Sequence, residues 1–166
     1  MLATFGLATG CQVWIPKADR QRVVRATAEL DEGRLLQKLP IAFGGVAEDT
    51  IANIDVIWFR GPTIVAAFEV EHSTSIYSGL LRMADLASVF PNIPFPFYIV
   101  APEDRRIAVR AEILRPVFAR LSPPLSQFTK FVSYGGLAAL IAAHPRESHG
   151  YLDPGVIATV AESFGP

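Results

Sequence analysis

Three carboxylates lie within a short stretch of this chain: Asp55, then Glu69 and Glu71 beyond a Gly61-Pro62 turn. The segments carrying them, Ile54-Asp55-Val56-Ile57-Trp58-Phe59 and Thr63-Ile64-Val65-Ala66-Ala67-Phe68-Glu69-Val70-Glu71, are rich in β-branched and aromatic residues and read as a β-hairpin. Side chains alternate along a strand, so Glu69 and Glu71 share a face and Val70 points away. With a three-residue loop, Phe59 pairs with Thr63 and Asp55 falls opposite Ala67, diagonal to Glu69. A two-residue loop puts Asp55 on the wrong face, so the pattern predicts an odd-numbered loop or a compensating bulge. Three clustered carboxylates repel one another and raise one another's pKa values, a conflict that a divalent cation removes. Oxygen donors of this kind suit the hard cation Mg²⁺.

The elements that must position these groups follow from punctuation and periodicity. A short strand is expected at 12–15, stopped by Pro16, then an amphipathic helix over 18–30 with Val23, Ala26, Thr27 and Leu30 inward. A short strand is expected near 41–43, followed by Gly44-Gly45 and the hairpin. The hydroxyl-rich run 73–75 is placed to cap a helix over 76–89, with Leu80, Ala84 and Ala87 toward the sheet. The apolar run 97–101 reads as a central strand, Pro102-Glu103-Asp104 opens a helix that Pro116 ends or kinks, and 128–134 reads as a further strand. Gly135-Gly136 marks a break before a helix over 137–143, and the tail from 151 predicts one last helix. The layout is α/β with a central mixed β-sheet flanked by helices, a single domain over 1–166.

Composition narrows the function classes. A hydrophobic fraction of 51% and a mean hydropathy of +0.32 are read as a large buried sheet, because no uninterrupted apolar run reaches membrane-spanning length. The first fifteen residues lack the basic start and long apolar stretch of a secretory signal, so a cytoplasmic protein with no membrane partner is expected. One cysteine, Cys11, forbids an internal disulfide and a cysteine-based zinc site. The net charge of −1 does not commit the whole molecule to nucleic acid, but Arg20 and Arg22 in one cluster and Arg105 and Arg106 in another could flank a phosphate backbone. The competing reading for each cluster is a solvated helix face.

Near the carboxylates, His72 has three open roles: metal ligand, phosphate contact or helix cap. Arg82 is spaced for an ion pair with Asp85, three residues on, with contact to a phosphate as the alternative. No Gly-X-Ser-X-Gly elbow accompanies Ser73, Ser75 or Ser78, and Gly135-Gly136 lacks the Lys-Ser or Lys-Thr of a nucleotide-binding loop. Serine hydrolysis and ATP dependence are therefore not expected.

The residues resemble the core of the PD-(D/E)XK nuclease superfamily, with Ile54-Asp55 standing where that superfamily has Pro-Asp and Glu69-Val70-Glu71 where it has acidic-X-Lys. Glu71 departs from the lysine, as it does in some restriction enzymes of that fold. The run 68–86 is also similar to one in prokaryotic restriction-endonuclease-like proteins. The resemblance covers about 18–134 and implies a restriction-endonuclease-like core of helix, three-stranded meander, helix and strand. It further implies a Mg²⁺-dependent (or Mn²⁺-dependent) endonuclease hydrolysing phosphodiester bonds, in DNA, within prokaryotic defence or repair. The implied metal ligands are Asp55, Glu69, the Val70 carbonyl and Glu71, with Glu71 as a further ligand or as the base for the attacking water. Positive charge for the transition state then falls to the metal, His72 or Arg82. The alternatives are a catalytically silent nucleic-acid-binding or assembly domain of the same fold, and an interaction module of a larger system. A homodimer and a partner domain or protein both remain open.

Overall fold

The computed structural model describes residues 1–166 apart from 29, 43, 73–75, 91, 93–94, 145–151 and 166. The described elements are α1 (Leu2–Ala8), β1 (Gln12–Trp14), α2 (Lys17–Arg25), α3 (Gly45–Ile51), β2 (Val56–Arg60), β3 (Thr63–Val70), α4 (Ile76–Ser88), β4 (Phe97–Ala101), α5 (Arg106–Ile113), α6 (Pro116–Ala119), β5 (Thr129–Ser133), α7 (Tyr134–Ala143) and β6 (Ala161–Ser163), with short 3₁₀ turns between some of them. The strands form one six-stranded sheet whose order is the chain order, β1 through β6. β1, β2 and β3 make an antiparallel meander, β3, β4 and β5 run parallel, and β6 returns antiparallel to β5.

Every residue of β4 is buried, as befits a central parallel strand covered on both faces. One face packs Ile57, Phe59, Ala67, Phe97, Ile99 and Phe131 against Ile51 of α3, Leu80, Met83 and Leu86 of α4, and Val109 and Ile113 of α5. The other packs Val13, Val56, Trp58, Phe68, Tyr98 and Val132 against Leu2 and Phe5 of α1 and Leu137 and Leu140 of α7. α1 lies so close to the sheet that a Cβ on Gly6 would sit 2.4 Å from the Trp58 Nε1. No helix among the described residues is long and apolar enough to cross a membrane.

The hairpin loop holds two residues, Arg60 pairing with Thr63 around Gly61-Pro62, and Gly61 takes the positive φ of +56° that such a loop requires at its first position. On that register alone Asp55 would align with Phe68, on the opposite face from Glu69. A bulge resolves this: Phe59 pairs with Ile64 but Trp58 pairs with Ala66, leaving Val65 extra. Extending the Val56–Phe68 pairing by one residue then aligns Asp55 with Glu69, two residues beyond the expected Ala67 and on the same face. Of the two expected devices, the bulge is the one present.

Several boundaries differ from expectation. α2 ends at Arg25, well short of residue 30; its fully buried residue is Arg20, Val23 packs partly buried on the core as expected, Ala26 is exposed, and Leu30 is buried beyond the helix end. No strand forms at Ile41 and Ala42, where the chain is irregular, while residue 43 lies outside the described residues. α1 and α3 form where no helix was expected. α7 begins at Tyr134, because the Ser133 side chain accepts from Gly136 N–H and caps the helix three residues earlier. Pro116 occupies the first turn of α6 and so separates it from α5. The expected last helix is a 3₁₀ helix, Pro154–Val160, and it is followed by a strand that was not expected, β6. The expected capping run 73–75 lies outside the described residues.

Candidate active site

The strand directions bring the chemistry to one edge of the sheet. Asp55 precedes β2, Glu69 is the penultimate residue of β3, and Glu71 and His72 follow it; β4 leads at the same edge into Arg105 and Arg106, and β5 into Tyr134. β1 also ends there, leading into Asp19 and Arg22 of α2. The carboxyl ends of parallel strands are the usual place for a ligand site in an α/β sheet.

Asp55 is half-buried, and its Oδ2 accepts the Val70 N–H at 2.8 Å, tying the start of β2 to the end of β3. Glu69 is 0% exposed, and Glu71 is buried beside it. Both face α4, whose Gly79 clears their way: a Cβ there would stand 3.1 Å from the Glu69 Cγ and 3.1 Å from the Glu71 Oε1. Glu71 is fixed through its backbone, its N–H donating to the Val100 carbonyl at 2.9 Å and its carbonyl accepting from the Tyr134 hydroxyl at 2.9 Å. The exposed His72 ring packs on Tyr134 with centroids 5.1 Å apart.

The Arg82 guanidinium meets Glu69 side on, Nε donating to Oε1 at 2.8 Å and Nη2 to Oε2 at 2.5 Å. This is the bidentate geometry that makes arginine–carboxylate pairs strong. Burial nevertheless pushes the Glu69 carboxyl up to about 7; the Arg82 hydrogen bonds oppose the rise, while the charges of Asp55 and Glu71 add to it. Burial also raises Asp55, against the Val70 hydrogen bond and the Arg82 charge. Arg82 is held more firmly charged, first by its hydrogen bonds to Glu69 and then by the charges of Glu69, Asp55 and Glu71. One electrostatic cluster therefore joins three carboxylates and one guanidinium.

A cavity of about 690 Å³ is lined by Asp55, His72, Tyr134, Asp19 and Arg22 and by apolar residues that include Ile15, Val56, Val70 and Val100; of the cluster only Asp55 reaches it, while Glu69, Glu71 and Arg82 do not line it.

A family model described as Type II restriction enzyme NmeDI C-terminal domain matches residues 1–164. The chain belongs to that family. Type II restriction enzyme NmeDI of Neisseria meningitidis serogroup C is 36% identical over 129 residues, which are 72% of this chain and 36% of that protein. The chain thus spans little more than a third of the length of that relative. No solved structure matches the chain.

In this member of the NmeDI C-terminal domain family, the residues expected to share a site meet unevenly. Asp55, Glu69, Glu71 and Arg82 converge, and His72 stands at the rim of the cavity. The expected Arg82–Asp85 pair is replaced by Arg82–Glu69, since the buried carboxylate outbids an exposed one for the same guanidinium. Arg20 is 2% exposed and donates to the Ile15 carbonyl, the Leu36 carbonyl and the Gln37 side chain, which fixes the path after β1 and removes it from the surface. Arg22 pairs with Asp19 at the cavity, and Arg106 pairs with Glu162 of β6. Tyr134 was not among the expected site residues; its place directly after a strand was the available signal. Among the described residues no three acidic, histidine or cysteine side chains are gathered as a metal-holding group. The donor chemistry still suits a hard dication: three carboxylates, two of them raised chiefly by burial, stand at one strand end. With Arg82 on both Glu69 oxygens, a cation approaching the same side of the carboxylate competes with the guanidinium for them.

Proposed function

We propose that this domain has a restriction-endonuclease-like core and is a Mg²⁺-dependent nuclease (Mn²⁺ serving as well) that hydrolyses phosphodiester bonds in DNA, in prokaryotic defence or repair. The observation that carries this reading is the convergence of Asp55, Glu69 and Glu71 at the carboxyl edge of the sheet, in a chain of the NmeDI C-terminal domain family. With α2 and α3 inserted between β1 and β2, the order α1, β1, β2, β3, α4, β4 supports the core assignment, being a helix, a three-stranded meander, a helix and a strand parallel to the third. That core starts at Leu2 and so extends before residue 18.

Asp55, Glu69, Glu71 and the Val70 carbonyl are the groups that would hold the metal. Bound there, Mg²⁺ supplies Lewis-acid activation of water and of the phosphoryl oxygen. The chain supplies the rest. Asp55, oriented by Val70 N–H, presents its other oxygen, and Tyr134 fixes the Glu71 backbone so that its carboxylate approaches from the sheet end. Glu71 serves as a further ligand or as the base that accepts the proton of the attacking water. His72 and Arg22 both line the cavity, placed to contact phosphate. The DNA backbone lies across the cavity mouth, the domain acting as a homodimer or beside a partner domain of a larger protein.

The test is cleavage of supercoiled plasmid and of single-stranded DNA with Mg²⁺, Mn²⁺ or EDTA, by wild type, Asp55→Ala and Glu69→Ala. Metal-dependent cutting lost in both variants is the expected result. Metal-independent cutting, or cutting retained in both, would sink the reading.

A second reading, a catalytically silent DNA-binding or assembly domain of the same fold, is favoured by the Glu69–Arg82 pair, which neutralises the most buried carboxylate without any metal. Under it, a folded wild type cuts neither substrate yet shifts a labelled duplex, and Asp55→Ala leaves that shift unchanged.

A further inference from the structure

The Glu69–Arg82 pair is asymmetric. The Glu69 side chain is 0% exposed and the Arg82 side chain 25%, so the cation is the solvent-side partner. An ionised carboxylate this deeply buried needs a positive partner, because losing one leaves an uncompensated charge in a medium that solvates it poorly. The charges of Asp55 and Glu71 aggravate that need. α4 is built to deliver the partner: Gly79 lets the helix ride close over the two glutamates, and Arg82, three residues on, reaches the same carboxylate from that face. Arginine brings its charge on a long, rotatable stem, and its planar fork fits a phosphate as well as it fits a carboxylate.

We propose that Arg82 is the resident counter-cation of the metal-free site, holding both oxygens of Glu69 until a divalent cation takes them, and that the released guanidinium then binds a phosphate of the DNA. This deepens the metal-dependent reading given above and rests on it. The charges balance at each stage: guanidinium and carboxylate neutralise one another before the exchange, and afterwards the dication faces the carboxylates while Arg82 faces the phosphodiester. The exchange makes metal loading and DNA binding cooperative, since each stabilises the state the other prefers.

The experiment is Mn²⁺ binding, read by the electron paramagnetic resonance of the free ion, to wild type, Arg82→Gln, Glu69→Gln and the double variant without DNA. Arg82→Gln should tighten Mn²⁺ binding by about tenfold with Glu69 present and by less than about threefold with Glu69→Gln, the difference measuring the competition. Equal or weaker binding by Arg82→Gln, or the same gain in both backgrounds, overturns the exchange while leaving the metal site standing. Absence of Mn²⁺ binding in all four proteins overturns the metal reading and the exchange with it. Arg82→Lys, which keeps the charge but not the fork, should bind Mn²⁺ with intermediate affinity and carries the test if the glutamine variant does not fold. A second arm measures affinity for a DNA duplex in EDTA and in Ca²⁺: Arg82→Gln should weaken binding only in Ca²⁺, and an equal loss in EDTA refutes the release.

Discussion

The Asp55 carboxylate and the Val70 backbone N–H form a hydrogen bond of 2.8 Å, which places a side chain where strand pairing would otherwise put a backbone acceptor. The residue that starts β2 thereby locks the segment between the two strand-end glutamates. Substitutions at Asp55 should separate its two roles. Asparagine keeps an acceptor for Val70 and should change stability by less than about 0.5 kcal/mol, whereas alanine leaves the N–H unpaired and should cost about 1 kcal/mol more. Both should abolish metal-dependent cleavage. Urea titration beside the plasmid assay checks this, and full activity in Asp55→Asn would confine Asp55 to architecture.

Glu69 makes stability depend on pH with a definite sign. Its carboxyl titrates near 7 in the folded protein against an ordinary value of 4.5, so between those values the folded state keeps a proton that the unfolded chain has lost. Stability should fall as pH rises from about 4.5 to 7 and level off above, by on the order of 3 kcal/mol at most. In the metal-free protein the melting temperature should decline over this window, and Glu69→Gln should flatten the decline. A melting temperature that rises with pH across the same window in wild type would contradict the assignment.

Gly79 tests how tightly α4 is seated. A Cβ 3.1 Å from both glutamate side chains requires them to shift by a few tenths of an ångström, and a branched side chain requires more. Gly79→Val should destabilise the fold by about 1–3 kcal/mol and displace Glu69 and Glu71 together. Gly79→Ala should be milder in stability yet still weaken Mn²⁺ binding. Unchanged Mn²⁺ affinity in a folded Gly79→Val protein would show that neither glutamate is a ligand.

Tyr134 holds the Glu71 carbonyl across 63 residues of sequence. Tyr134→Phe removes only the hydroxyl, so thermal unfolding should report a loss of about 1 kcal/mol. The turnover number should fall while DNA affinity is kept, because the affected group is the orientation of Glu71. A fall in DNA affinity with turnover unchanged would move Tyr134 from positioning to substrate contact.

How much of this was legible in the sequence depended on whether the signal was local. The hairpin, α4 and β4 were readable because β-branched runs, the Gly61-Pro62 punctuation and the spacing of Leu80, Ala84 and Ala87 act within a few residues. α1 was not, since Met1 offers no side-chain cap and the helix depends on Gly6 packing against Trp58, 52 positions away. Ile41 misled for the opposite reason: its partly buried side chain packs on the core from an irregular segment, so its apolarity marked burial and not a strand. In the tail the helical stretch was legible, but β6 was not, because its strand form rests on pairing with β5, about thirty residues away. At the site, strand alternation made Glu69 and Glu71 visible as a pair, and the three-carboxylate grouping followed from the hairpin. The partner of Arg82 was invisible, because which carboxylate a guanidinium chooses depends on burial that only the folded sheet creates.

The extra residue at Val65 has an implication for how this hairpin can vary in length. With Arg60 paired to Thr63, the alignment of Asp55 with Glu69 depends on Val65 staying unpaired: were Trp58 to pair with Val65, Asp55 would fall opposite Phe68, on the other face. Residues added between Arg60 and Thr63 should leave that register, and with it the acidic cluster, as they are, however far the tip then protrudes. Length at the tip is thus free to vary, while the pairing of β3 between Ile64 and Ala66 is not.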